Sequence, residues 1–154
     1  QSGGVRPLGI SLIIGGVSDG ECRIYETDPS GALVEYKATA IGLGRDKTLN
    51  LFEDKYEDDL TLDEAIDLAI EGIYVATDGK VADDSIEISV IEKENAKYRK
   101  FDEDEIEKYV QKLLDRKEQE QKDAEEKRKA EEKRKAEEEA KESSDDENED
   151  INEE

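Results

Sequence analysis

Residues 25–42 read YETDPSGALVEYKATAIG and set two hydroxyls, Thr27 and Ser30, on either side of the carboxylate of Asp28. A hydroxyl beside a carboxylate suggests nucleophilic acyl transfer, in which a base takes the hydroxyl proton and a third group orients the base. That base is ordinarily a histidine, and the 154-residue chain contains none. A turn uses the same residues without a base. In Asp28-Pro29-Ser30-Gly31 the Asp side chain accepts from the backbone that follows it, Pro presets φ at the second position and Gly closes the reversal, the pattern of a type I turn. Thr27 and Ser30 are therefore expected to be turn residues rather than reacting groups.

The remaining chemistry-bearing residues fare no better. Cys22 is the one cysteine, which excludes an internal disulfide, and beside Glu21 in a predicted strand it reads as an unreactive thiol. Without histidine, a zinc site would need carboxylates alone. Asp58-Asp59 and Asp83-Asp84 precede a predicted helix and a predicted strand, so they read as loop and cap residues rather than a glycosidase pair. Asp102-Glu103-Asp104-Glu105 lacks the ligand spacing and central Gly of a calcium loop. Gly15, Gly16 and Gly20 do not make G-x-G-x-x-G, and no phosphate loop ending in Lys is present. No catalytic, cofactor-binding or metal-binding residue is assigned, and no cofactor is expected.

Composition narrows the partners. Charged residues make up 44% of the chain and the net charge is −22, a field that repels nucleic acid and anionic membrane surfaces; neither is expected as a partner. No run of about 18 apolar residues could cross a bilayer, and the basic-then-apolar order of a signal peptide is missing. A soluble protein in a reducing, cytoplasmic setting is expected. The sequence has no Met, so Gln1 is not expected to be a translation start, and a fragment or processed product is expected.

The elements that would position these residues follow from hydrophobic period. Residues 9–17, GISLIIGGV, predict a strand buried on both faces, Ser18-Asp19-Gly20 a turn, and residues 22–27 the returning strand of a hairpin. Residues 33–41 predict a third strand with Val34, Tyr36, Ala38 and Ala40 on one face. Leu49, Phe52 and Tyr56 recur at helical spacing. Thr61 and Glu64 form a capping box for a second helix, whose stripe is Leu62, Ala65, Ile66, Ala69, Ile70 and Ile73, and Asp78-Gly79 ends it. Residues 85–92 alternate, with Ile86, Ile88 and Val90 inward; Glu94-Asn95 turns the chain and residues 96–101 return. Asp102 and Glu105 form a second capping box before Ile106, Tyr109, Val110, Leu113 and Leu114.

Beyond that apolar face the composition changes. Residues 115–141 are nearly all Glu, Lys, Arg, Gln and Ala, with AEEKRK at 124–129 and again at 130–135. Acidic residues four before basic ones predict a single solvated helix, and no apolar seam supports a coiled coil. Residues 142–154 are expected to be an acidic, disordered tail. Strands in blocks separated from helices predict an α+β arrangement of antiparallel sheet with helices layered on it.

Three segments go further. QSGGVRPLGISLIIGG (1–16), YETDPSGALVEYKATAIGLGR (25–45) and YEDDLTLDEAIDLAI (56–70) closely resemble the alpha-type subunits of archaeal proteasomes, in that order and at that spacing. The resemblance covers residues 1–114; Leu8 stands where the family commonly has Phe, and the AEEKRK tail has no part in it. It implies the four-layer αββα sandwich of N-terminal nucleophile hydrolases, of which this chain would carry the second half only, followed by the charged helix. It also implies a non-catalytic role. Seven alpha subunits form each outer ring of the barrel, gate substrate entry, dock the activating ATPase and stack on beta subunits that hold the threonine nucleophiles. The family's gate and ATPase-pocket residues lie upstream of the matched positions, so none is carried over. Two other readings stand beside it. A beta-type threonine peptidase of the same fold would need Thr as its first residue, yet Gln1 is first and Thr27, Thr39, Thr48, Thr61 and Thr77 are internal. A charged-helix interaction protein would be independent of any barrel.

Overall fold

Asp19 (φ 55°) and Gly20 (φ 77°) are both left-handed, the backbone pair that a two-residue hairpin turn needs to match strand twist. The computed structural model, which describes residues 9–149, accordingly opens on a hairpin. Strand β1 (Leu12–Ser18) lies antiparallel to β2 (Glu21–Thr27), from Ser18 opposite Glu21 to Leu12 opposite Thr27. After the Asp28 turn, β3 (Leu33–Tyr36) pairs with the other edge of β2, giving the order β1-β2-β3.

Two expectations for this sheet are corrected. The third strand ends at Tyr36, not at residue 41; because Tyr36 faces Ile24 and β2 begins at Glu21, the register leaves no partner for residues 40 and 41. The first strand is not buried on both faces; Leu12 is 52% and Ile14 51% exposed, and the sheet contributes nothing to the buried apolar core. An apolar run reports what a strand is able to bury, whereas burial needs a covering layer.

Gly42 (φ 100°) and Gly44 (φ 81°) then turn the chain into α1 (Arg45–Lys55). Helix α2 (Leu62–Ala76) begins at the expected capping box. The Glu64 amide donates to Thr61 Oγ1 over 3.4 Å, and the Thr61 amide donates to Glu64 Oε2 over 2.8 Å. Asp78 (φ 52°) and Gly79 (φ 83°) close it. The two helices touch where Gly72 has no side chain: a Cβ there would lie 2.9 Å from Thr48 Cγ2 and 3.2 Å from the Phe52 ring. Beside that contact Thr48 is buried and donates to the Gly72 carbonyl over 3.0 Å, while the buried Glu71 carboxylate pairs with Lys55 over 2.8 Å.

A 3₁₀ turn at Asp83–Ser85 leads into β4 (Ser89–Ile91), which pairs antiparallel with β5 (Tyr98–Lys100). Both are shorter than the alternation predicts: the 3₁₀ turn takes Ser85, residues 86–88 lie outside the ladder, and Ala96 belongs to the reversal. Ile86 and Val90 are buried as expected and Ile88 is half-buried. The Asn95 side chain accepts from the Lys97 amide over 2.7 Å and Ala96 (φ 52°) completes the reversal. The second capping box also forms, with the Glu105 amide donating to Asp102 Oδ1 over 2.9 Å. It starts α3 (Glu103–Glu149), whose Ile106, Val110 and Leu113 join Ile66, Leu68, Ile70, Ile86, Val90 and Phe101 in the core.

The chain divides into two compact units between Leu113 and Leu114. The first is a mixed α/β unit with two small antiparallel sheets. The second is helical, and residues 118–135 are exposed on every side. Its helix reaches Glu149, past residue 142 where disorder is expected, because a helix once nucleated extends at the cost of one residue per added hydrogen bond. The last five residues of the expected tail lie outside the described residues.

Candidate functional site

The Asp28 carboxylate holds its own turn together. Oδ1 accepts from the Ser30 amide (2.8 Å), the Ala32 amide (3.2 Å) and the Ser30 hydroxyl, and the Gly31 amide donates to the Asp28 carbonyl over 3.0 Å. The Ser30 hydroxyl and then these amides hold the Asp28 carboxyl below the ordinary carboxylate range. A carboxylate so stabilised is a weak base, and the hydroxyl it binds is held as a donor to it. Asp28, Ser30 and Gly31 thus form a turn, as their residue types predict, whereas Thr27, expected as a turn residue, is the last residue of β2 because it pairs with a strand on either side.

A second hydroxyl–carboxylate contact escapes sequence inspection. Thr39 Oγ1 donates to Glu26, and Arg45 Nη2 lies 3.3 Å from the same carboxylate oxygen. Glu26 is only 13% exposed, and the Thr39 hydroxyl, then Arg45, lowers its pKa. Again the proton stays on the hydroxyl. The cluster fastens β2 to the segment that follows β3 and to the start of α1. Its members are 13 and 19 residues from Glu26, so no short-range spacing could have revealed it.

The other threonines serve the backbone. Thr61 caps α2, Thr48 bridges α1 to Gly72, and Thr77 donates to the Ile73 carbonyl over 2.8 Å. Thr27 faces Leu12 and Leu33 across its two ladders. Cys22 is exposed opposite Val17. Asp58 pairs with Lys37 over 3.1 Å, Asp83-Asp84 lies in the 3₁₀ turn, and Asp102 caps α3. Gly15 and Gly16 are strand residues and Gly20 a turn residue, so they form no phosphate cradle.

Among the described residues lie a polar and an apolar recess. The polar one, of about 690 Å³, is rimmed by Asp84, Glu87, Asp102, Glu103 and Asp104, with Lys100 pairing to Glu87 over 2.7 Å. Among the described residues no group of three His, Cys, Asp or Glu is placed to hold a metal ion. The apolar one, of about 320 Å³, runs along α2 beside residues 86–91, lined by Leu62, Ala65, Ile66, Ala69 and Ile73. This is the apolar stripe of the predicted helix; Ile66 and Ile70 are buried, while Leu62 is 42% and Ile73 41% exposed. With the open sheet, it leaves apolar surface exposed on the molecule.

A sequence profile for the family described as Proteasome subunit matches residues 1–91. The chain belongs to the proteasome subunit family. Its relatives carry the alpha designation. It is 55% identical over 123 residues to "Proteasome subunit alpha" of Methanothermobacter thermautotrophicus, covering 80% of this chain and 50% of the relative. The same-named protein of Methanobrevibacter smithii is 49% identical over 114 residues (74% and 46%), and that of Methanosarcina acetivorans 47% over 116 residues (75% and 47%). The chain thus spans about half the length of these proteasome subunits. Membership in the proteasome subunit family implies the N-terminal nucleophile hydrolase fold, with which the antiparallel strands and helices of this chain agree.

Proposed function

We propose that this chain is the second half of a non-catalytic alpha subunit of a proteasome core particle, acting in cytoplasmic protein degradation. Residues 1–114 would complete a four-layer αββα sandwich with the other half of the domain, with 115–141 a charged helix and 142–154 an acidic end. In the assembled particle the subunit would join six others in the outer ring, stack on beta subunits, gate substrate entry and dock the activating ATPase.

The observation that carries this reading is the 55% identity to an alpha-designated subunit over 123 residues. Two features of the molecule support it. Leu12, Ile14 and Leu33 stand 51–61% exposed on the three-stranded sheet, and the apolar recess along α2 lies open, as expected of half a sandwich. The hydroxyls of Ser30, Thr48 and Thr61 are engaged in a turn, a helix–helix contact and a helix cap.

An electrophilic probe that captures catalytic threonines tests the non-catalytic role. Applied to particles containing this chain and beta subunits, it should label the beta subunits alone. Label recovered on this chain would favour a beta-type peptidase instead.

A further inference from the structure

We propose that residues 114–141 form a self-supporting strut, a single α-helix stiffened by its own lattice of acid-to-base ion pairs, whose rigidity falls as salt rises. Along residues 115–135 the helix has no apolar face to bury. From 115 to 135 the only apolar side chains are Ala124 and Ala130, too small and too few to bury a face against another helix. Residues 118–135 are exposed around the whole circumference.

An isolated helix is marginal in water unless its own side chains support it. Here they do so in two ways. Ala, Glu, Lys, Arg and Gln are all strong helix formers. Ion pairs then connect successive turns: Glu118 to Lys122 (2.6 Å), Glu125 to Lys129 (2.7 Å), Arg128 to Glu132 (3.7 Å) and Lys117 to Glu120 (2.8 Å). In the Glu118–Lys122 and Glu125–Lys129 pairs the acid precedes the base by four residues, the favoured orientation on a helix.

The hexamer period adds stiffness. At about 100° per residue, six residues fall about 120° short of two full turns, so the pairs of AEEKRK wind around the helix instead of lining one side. Braces distributed in this way resist bending in every direction. At about 1.5 Å per residue the segment holds its ends about 42 Å apart, a fixed spacer before the acidic residues that follow. The pairs are solvent-exposed, so added salt screens them.

The test is a distance measurement on the whole chain. Spin labels are placed at Gln119→Cys and Ala140→Cys in a Cys22→Ser background, and labelled chain is diluted into unlabelled chain. In low salt the strut predicts a narrow distribution centred near 32 Å, the helical span of 21 residues. Replacing Glu118, Glu120, Glu125 and Glu132 together with Gln, which keeps helix propensity but removes charge, should broaden the distribution and shift it toward the ~25 Å of a flexible chain. Salt at 1 M should move the unsubstituted chain in the same direction. A broad distribution in low salt would overturn the proposal. So would a narrow one that neither the four substitutions nor salt disturbs, because the helix would then be held by something other than its ion pairs.

Discussion

At the scale of single residues, hydrogen bonds within a few positions are what the sequence makes legible. Asp28, Pro29, Ser30 and Gly31 each have a turn role that depends only on neighbours, and the turn forms with those roles. The Ser30 hydroxyl is the largest influence holding the Asp28 carboxyl low, so its titration midpoint should lie below the ordinary ~3.9, and Ser30→Ala should raise it. Carboxyl carbon chemical shifts followed against pH measure both. Since the folded value is the lower one, the interaction stabilises the fold above about pH 4 and is lost as pH falls through the folded midpoint. Tyr109 shows the opposite sign. Its phenol donates to Asp63 over 2.6 Å, and that bond, with partial burial, pushes its pKa up to about 12. The neutral phenol contributes below about pH 10, and the contribution disappears as pH rises through the folded value. Asp63→Asn should bring the Tyr109 midpoint down toward 10, read from ring-carbon shifts. This contact joins residues 46 positions apart, and the Glu26–Thr39–Arg45 cluster is likewise non-local, which is why neither could be inferred from spacing.

At the scale of elements, whatever rests on local chemistry follows the sequence. Both capping boxes, at Thr61–Glu64 and Asp102–Glu105, form at the helix starts where they are expected, and the Asp19-Gly20 and Asn95 reversals produce the two hairpins. What fails is what a distant partner decides. The third strand cannot run to residue 41 because β2 begins at Glu21, and the first strand's apolar run meets no covering layer. The α1–α2 contact is another distant effect, turning on one absent side chain. A Cβ at Gly72 would press on Thr48 Cγ2 at 2.9 Å, so Gly72→Val should force the helices apart at a cost of about 1–3 kcal/mol. Faster hydrogen exchange along α1, with α3 amides at residues 106–113 little changed, would register that loss. Equal protection of α1 in the variant would mean that the helices are not held by this approach.

At the scale of the whole molecule, the sequence discloses membership before it discloses shape. Three segments carry the family resemblance, yet the role of the open sheet and the open α2 recess emerges only when exposure is known. A chain of net charge −22 nevertheless leaves Leu12, Ile14 and Leu33 more than half exposed on one sheet. On the proposed role, assembly would account for that combination. The most direct test joins this chain to the remaining half of the Methanothermobacter relative, produces it with beta subunits, and determines subunit number by native mass spectrometry with electron microscopy of top views. The proposed role predicts a barrel whose outer rings each contain seven copies of the joined subunit. A monodisperse, elongated monomer that never associates with beta subunits would contradict it.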